Sequence, residues 1–134
     1  DVPEDKAWEY VFGVTCCNDV TARDLQRADK TFTRGKGFDT FAPCGPWIET
    51  ELDVGALLVE TKVNGELRQR AGLGTMIFSP AALLAYISKI MTLMPGDLVM
   101  TGTPEGVGNM KSGDLVEVYV HGVGELRHTV AKKN

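Results

Sequence analysis

The stretch "ALLVETKVNGELRQRAG", residues 56–72, holds two β-forming runs separated by Asn64 and Gly65. An Asn-Gly pair supplies the two positive φ angles of a type I′ turn, whose twist matches that of paired antiparallel strands. This segment is therefore predicted to be a β-hairpin, and it sets the architecture as antiparallel from its centre outward.

Downstream, Ser79 is placed as a helix N-cap with Pro80 at the first helical position. Leu83, Leu84, Ile87, Ile90 and Met91 recur with the spacing of a half-buried helix face, and Pro95 lies beyond its end. The remainder offers three short strands, "DLVM", "DLVEVYV" and "GELRHTVA", separated by the turn-rich segments "TGTPEGVGNMKSG" and "HGVG". Upstream, "DVPEDKAWEYVFG" predicts a short helix closed by Gly13, followed by a strand over Val14 to Asp19. Ala28 to Trp47 carries three glycines, two prolines and no sustained period, which predicts a long irregular loop. Most connections are too short for parallel crossovers, so the fold class is mainly β or α+β with one packed helix.

The 134 residues suit a single domain that buries roughly two thirds of its unfolded surface. Hydrophobic residues at 43% and charged residues at 24% exclude disorder and fibrous classes. The net charge of −4, with Lys and Arg scattered, argues against nucleic acid or an anionic membrane as partner. A small anionic ligand would then need local positive charge or a metal. No apolar run approaches the roughly 20 residues of a membrane span, which points to a cytoplasmic protein. The three cysteines match neither a disulfide framework nor a zinc site and are expected to be reduced and mostly buried. The chain opens at Asp1 without an initiator Met, so a processed, trimmed or partial chain is expected.

Asp19 ends an apolar strand, Arg23 follows four residues later and Gln26 three beyond that. Such a cluster is either a local ion pair or a set of polar groups aimed into a site. Lys36, flanked by Gly35 and Gly37, is either an exposed loop lysine or a compact cation pointed into a cleft, where it could stabilise an oxyanion. "TGTPEGVG", Thr101 to Gly108, lacks the Lys-Ser/Thr pair of a phosphate loop; its Gly102-Thr103 pair is either an ordinary turn or a donor pair for a carboxylate or carbonyl oxygen. Glu49 and Glu51 read as a solvated acidic connection, and His121 and His128 as surface histidines without ligands at metal spacing.

The segments "VFGVTCCNDVTARDLQ", "TRGKGFDTFAPCGPWI", "VNGELRQ", "MIFSPAALLAYISKIMTLMPGDLVMTGTPEGVG" and "GDLVEVYVHGVGEL" occur in one order. That order resembles the catalytic domain of the fumarylacetoacetate hydrolase family over essentially the whole chain. The similarity is strongest to the branch that includes 2-hydroxyhepta-2,4-diene-1,7-dioate isomerase, decarboxylases, acylpyruvases and oxaloacetate tautomerases. The resemblance implies a β-roll with mixed sheets, a homodimer, and Mg²⁺ or Mn²⁺ held by carboxylates. It places Asp19, first residue of the family's Asp-Val/Met/Trp-Ser/Thr-Ala-Arg-Asp motif, on the metal. It also implies substrate contacts for Arg23 and Gln26, an active-site role for Lys36, and substrate binding for Thr103 beside Gly102. Thr40 falls where some members place a further metal-site residue.

The family's other two metal ligands, a Glu-x-Glu pair, and its catalytic lid residues would precede Asp1. Glu49 and Glu51 lie on the wrong side of Asp19 to replace them. The expectation is a single catalytic domain over 1–134 lacking its N-terminal part. Its chemistry would be a metal-stabilised enolate of a 2-oxo acid, used for isomerisation, decarboxylation or C–C hydrolysis. Oxaloacetate tautomerisation or a non-catalytic ligand-binding module of the same fold are the alternatives.

Overall fold

Asn64 and Gly65 adopt φ of 52° and 80° in the computed structural model, which describes residues 1–131. They join β3 (Leu58–Val63) to β4 (Glu66–Gly72), with Val63 opposite Glu66 and Val59 opposite Ala71. The asparagine does more than turn the chain. Its Nδ2 donates to Asp114 Oδ1 and its Oδ1 accepts from the Leu115 amide, each at 2.9 Å, so the turn is bonded to the start of β5 (Leu115–Val120). β5 pairs with the free side of β3, and β6 (Gly124–Thr129) pairs with β5, giving the sheet order β4-β3-β5-β6.

A second sheet consists of β1 (Val14–Cys17) and β2 (Cys44–Glu49). Every strand pairing among the described residues is antiparallel. The α+β architecture with few helices is therefore as expected, whereas the parallel pairs of a mixed sheet do not occur among these residues. Short connections explain this, since parallel neighbours need a crossover of a dozen or more residues. The core lies where the two sheets meet: Cys16, Leu57, Val116, Val118 and Val123 are buried there, flanked by Val14, Val59, Leu126 and others. Val116 and Val118 share one face of β5, as the two-residue period of a strand requires.

The expected helix is α3 (Pro80–Ile90), capped by Ser79 Oγ, which accepts from the Ala82 amide at 3.0 Å. It packs through buried Ala85 against a 3₁₀ helix at Glu4–Tyr10, whose Ala7 is also buried. Leu83, Leu84 and Ile87 are half-buried, but Ile90 and Met91 are exposed, so the apolar stripe is covered over only part of its length.

Two expectations are corrected. Residues 28–47 are not a long irregular loop: helix α1 (Arg23–Asp29) runs into them, a single-turn α2 (Thr33–Lys36) follows, and β2 begins at Cys44. These short elements rest on contacts between them, not on a periodic pattern. The segment "DLVM", 97–100, is not a strand, because no neighbouring strand lies alongside it among the described residues to take its hydrogen bonds. Leu98 and Met100 are about half exposed there. No helix among the described residues is long and apolar enough to cross a membrane.

Candidate active site at the end of the small sheet

Asp19 lies beyond the end of β1 and is flanked by bonds to the segment just ahead of β2. The Asn18 amide donates to Pro43 O at 3.0 Å and the Val20 amide to Phe41 O at 3.1 Å; the Val20 amide also reaches Asn18 O at 3.0 Å, a γ-turn that centres on Asp19 between two fixed points. Asn18 is held from its side chain as well: its Nδ2 lies 2.9 Å from His128 Nε2 on β6. An amide nitrogen only donates, so the imidazole accepts there. His128 is thus half-buried and bonded beside Asp19, which corrects its reading as a surface histidine. Strand spacing alone could not show this, since the contact crosses between the two sheets.

Lys36 reaches the same point from the far end of the segment. Its Nζ donates to Asp19 Oδ2, across seventeen positions of sequence. The approach is set by α2 lying on α1. Gly35 is buried, and a Cβ on it would stand 3.1 Å from Gln26 Cβ. The Ala22 amide donates to Gly35 O at 2.8 Å, and Arg34 Nε donates to Asp29 Oδ2 at 2.6 Å, with a second bond from the same guanidinium. This bidentate pair holds the Asp29 carboxyl below its ordinary value and raises Arg34. On α1, Arg23 Nη1 donates to Gln26 Oε1 at 2.6 Å, so these two are joined to each other and Arg23 has no carboxylate partner among the described residues. The local ion pair that spacing suggested for Asp19 and Arg23 is not formed; Lys36 takes that place.

Thr103 and Gly102 sit on a different loop, and no hydrogen bond links them to Asp19 or Lys36 among the described residues. They are held from β4, where a register shift opposes Thr61 to Gln69 and Lys62 to Leu67, leaving Arg68 as the bulged residue. Beside the bulge, Gln69 Nε2 donates to Thr103 Oγ1 at 2.6 Å and to Pro104 O at 2.8 Å. Gln69 was not singled out from the sequence; its signal there is its place at the end of the segment "VNGELRQ", a polar residue in a β-hairpin. Thr40 is exposed with φ 71° and likewise has no bond to Asp19. The Glu49 carboxylate accepts from the Glu51 amide at 2.8 Å, a local turn in keeping with a solvated connection.

Among the described residues, no three His, Cys, Asp or Glu side chains come together as a metal site. Asp19 offers the hard oxygen that Mg²⁺ or Mn²⁺ prefers, but one carboxylate is not a site for an ion that takes six oxygens. Its donor chemistry fits such an ion only with further oxygen ligands beside it. Of the cysteines, Cys16 is buried, Cys17 half-buried and Cys44 exposed, so the expectation of mostly buried thiols fails at Cys44. Burial pushes the Cys16 and Cys17 thiols up, and for Cys17 the neighbouring Cys44 and Asp19 add to the effect. A shallow depression of about 260 Å³ elsewhere, lined by Glu60, Lys62, Glu117, Tyr119 and Glu125, is dominated by carboxylates and unsuited to an anionic ligand.

The structure matches 5-carboxymethyl-2-hydroxymuconate delta-isomerase from Mycobacterium smegmatis with a TM-score of 0.97 and 46% identity, over 100% of this chain and 53% of that one. It matches 2-hydroxyhepta-2,4-diene-1,7-dioate isomerase from Mycobacterium marinum with the same TM-score, identity and coverage. Oxaloacetate tautomerase YisK from Bacillus subtilis is 41% identical over 96% of this chain and 46% of its own length. The chain spans about half the length of the relatives it matches. The model of the fumarylacetoacetate (FAA) hydrolase C-terminal region matches residues 1–131, and the chain belongs to the fumarylacetoacetate hydrolase family.

Proposed function

We propose that this chain is the catalytic part of a divalent-metal-dependent enzyme that acts on 2-oxo or enol acids through an enolate. The observation that carries the reading is the meeting of Lys36 and Asp19, a cation and a hard oxygen donor brought together from the two ends of one segment. In this reading Asp19 is one of the ligands of Mg²⁺ or Mn²⁺, and Thr40 a further candidate. When bound, such an ion supplies Lewis acidity to the 2-oxo acid.

The chain's own residues do the rest. Lys36 holds a fixed positive charge where negative charge develops on the substrate oxygen, and being anchored beside Asp19 it needs little reorganisation to do so. Arg23, oriented by Gln26, presents its remaining N–H donors to a substrate carboxylate. Thr103, oriented by Gln69, offers its hydroxyl beside the Gly102 backbone to a second polar group of the substrate.

The first reading is an isomerase, decarboxylase or C–C hydrolase of the 2-hydroxyhepta-2,4-diene-1,7-dioate isomerase type, supported by the similarity to the Mycobacterium marinum isomerase. Oxaloacetate tautomerisation is the second, supported by the similarity to the Bacillus subtilis tautomerase. The full-length protein, loaded with Mg²⁺ or Mn²⁺, should be assayed against 2-hydroxyhepta-2,4-diene-1,7-dioate, an acylpyruvate and oxaloacetate. Turnover of any one, lost on chelation, supports the metal-enolate reading; no turnover of all three and no bound metal would leave a ligand-binding module.

A homodimer belongs to the same proposal. The chain exposes 9498 Å², where a compact monomer of 14.6 kDa exposes about 6,900 Å². Large apolar side chains are exposed on it, including Ile77 and Phe78 ahead of α3 and Tyr86, Ile90 and Met94 along and beyond it. Light scattering on the full-length protein tests the state. A cytoplasmic location rests on the cysteine pattern, which is no disulfide framework.

A further inference from the structure

Cys17 and Cys44 stand directly opposite each other on β1 and β2. The amide bonds from Asn18 to Pro43 and from Val20 to Phe41 mark those positions as the hydrogen-bonded steps of the ladder. The 17/44 step is therefore the non-hydrogen-bonded kind, where opposing Cα atoms lie about 4.5 Å apart and both side chains share one face. That separation falls inside the roughly 4.4–6.8 Å range that a disulfide spans. Cys44 is exposed, and Cys17 is half-buried with its Sγ 3.5 Å from Met100 Sδ. Cys16 points to the opposite face, fully buried, and donates to Gly124 O at 3.2 Å.

We propose that Cys17 and Cys44 are an oxidation site that closes into a cross-strand disulfide when a peroxide reaches it. The exposed Cys44 sulfur attacks one peroxide oxygen; the O–O bond breaks, one water leaves, and Cys44 becomes a sulfenic acid. The Cys17 sulfur then forms the S–S bond as the S–O bond breaks, and the second water leaves. The two thiols lose two electrons and two protons, and hydrogen peroxide takes up both.

The position of this bond gives it a consequence. The loop from Cys17 to Cys44 contains Asp19, Arg23, Gln26, Lys36 and Thr40, every candidate site residue except Gly102 and Thr103. Closing it ties the two ends of the site-bearing segment together and restricts the opening of that segment. It also withdraws the Cys17 sulfur from Met100, which leads directly into the Gly102-Thr103 loop. None of this depends on which reaction the site performs.

The test is peptide mapping of the full-length reduced protein after hydrogen peroxide, with remaining thiols blocked by N-ethylmaleimide and trypsin applied without reductant. The expected product links peptide 7–23, alkylated at Cys16, to peptide 37–62; it is lighter by two hydrogen atoms than those two peptides with Cys17 and Cys44 reduced, and is released by dithiothreitol. Cys16→Ala should keep the link and Cys17→Ser should lose it. Alkylation of both Cys17 and Cys44 after peroxide would overturn the proposal, as would conversion of Cys44 to a sulfinic acid while Cys17 stays alkylatable. A Cys44 bridge to a second copy of the chain would overturn it too.

Discussion

Gln69 on β4 donates its side-chain amide to the Thr103 hydroxyl, 2.6 Å away, and so fixes a loop residue from a sheet that lies outside the Asp19 segment. If Thr103 binds substrate, Gln69 is the residue that orients it. Gln69→Leu should raise KM for the carboxylate substrate by about tenfold, the equivalent of one lost hydrogen bond, and change kcat little. Steady-state kinetics on the full-length enzyme decide it, and an unchanged KM removes Gln69 from the site.

Lys36 and Asp19 should separate stability from activity. Their side chains are 34% and 37% exposed, so the ion pair contributes no more than about 1 kcal/mol to folding. Lys36→Ala should therefore leave the unfolding curve almost unmoved while lowering kcat by roughly 10²- to 10³-fold. Asp19→Ala should abolish metal-dependent turnover and Mn²⁺ uptake measured by calorimetry, with circular dichroism unaltered. Retained turnover in Asp19→Ala contradicts the assignment.

Gly106 holds φ at 101°, and a Cβ on it would fall 1.9 Å from the Arg68 carbonyl oxygen at the bulge of β4. Backbone, not a flexible side chain, blocks the space. Gly106→Ala should cost about 1–3 kcal/mol in urea unfolding and shift the loop off Gln69, raising KM as Gln69→Leu does. A stable variant with parental KM would show that the loop is not fixed by this approach.

Asp114 gives a pH dependence with a definite sign. Its carboxylate accepts from the Lys111 amide at 2.7 Å and from Asn64 Nδ2 at 2.9 Å, and these bonds hold its pKa below the ordinary aspartate value. The charged form is favoured by folding, so the contribution is complete above the unfolded pKa and disappears as pH falls through the lower folded one. Asp114→Asn should lower Tm at neutral pH, and the gap from the parent should close as pH falls through and below the ordinary aspartate range. Asn64→Ala should reduce the same acid sensitivity. A gap that does not change with pH argues against these bonds as the cause.

The elements legible in the sequence are those with strong local signals. Asn64-Gly65 can only be a tight turn between two β-forming runs, and Ser79-Pro80 before an apolar stripe starts a helix under its own chemistry. Both stand as expected, as do β5 and β6. The illegible elements depend on partners remote in sequence. α1 and α2 are held by Gly35 against Gln26 and Arg34 on Asp29, which no periodicity announces. "DLVM" has strand composition but no adjacent strand among the described residues, and composition cannot supply one.

The same division runs through the site. The order of motifs along the chain was enough, by itself, to place it in the fumarylacetoacetate hydrolase family and to mark Asp19, Arg23, Gln26, Lys36, Gly102 and Thr103 as candidates, because residue types and spacings are one-dimensional information. Only the tertiary structure decided who meets whom. It gave Asp19 to Lys36 instead of Arg23, attached Thr103 to Gln69, bonded Asn18 to His128, and set Cys17 opposite Cys44. Each of these contacts depends on strand register or helix packing across tens of residues, and one slip of register would turn the strand side chains among them, Cys17, Cys44, Gln69 and His128, to the other face.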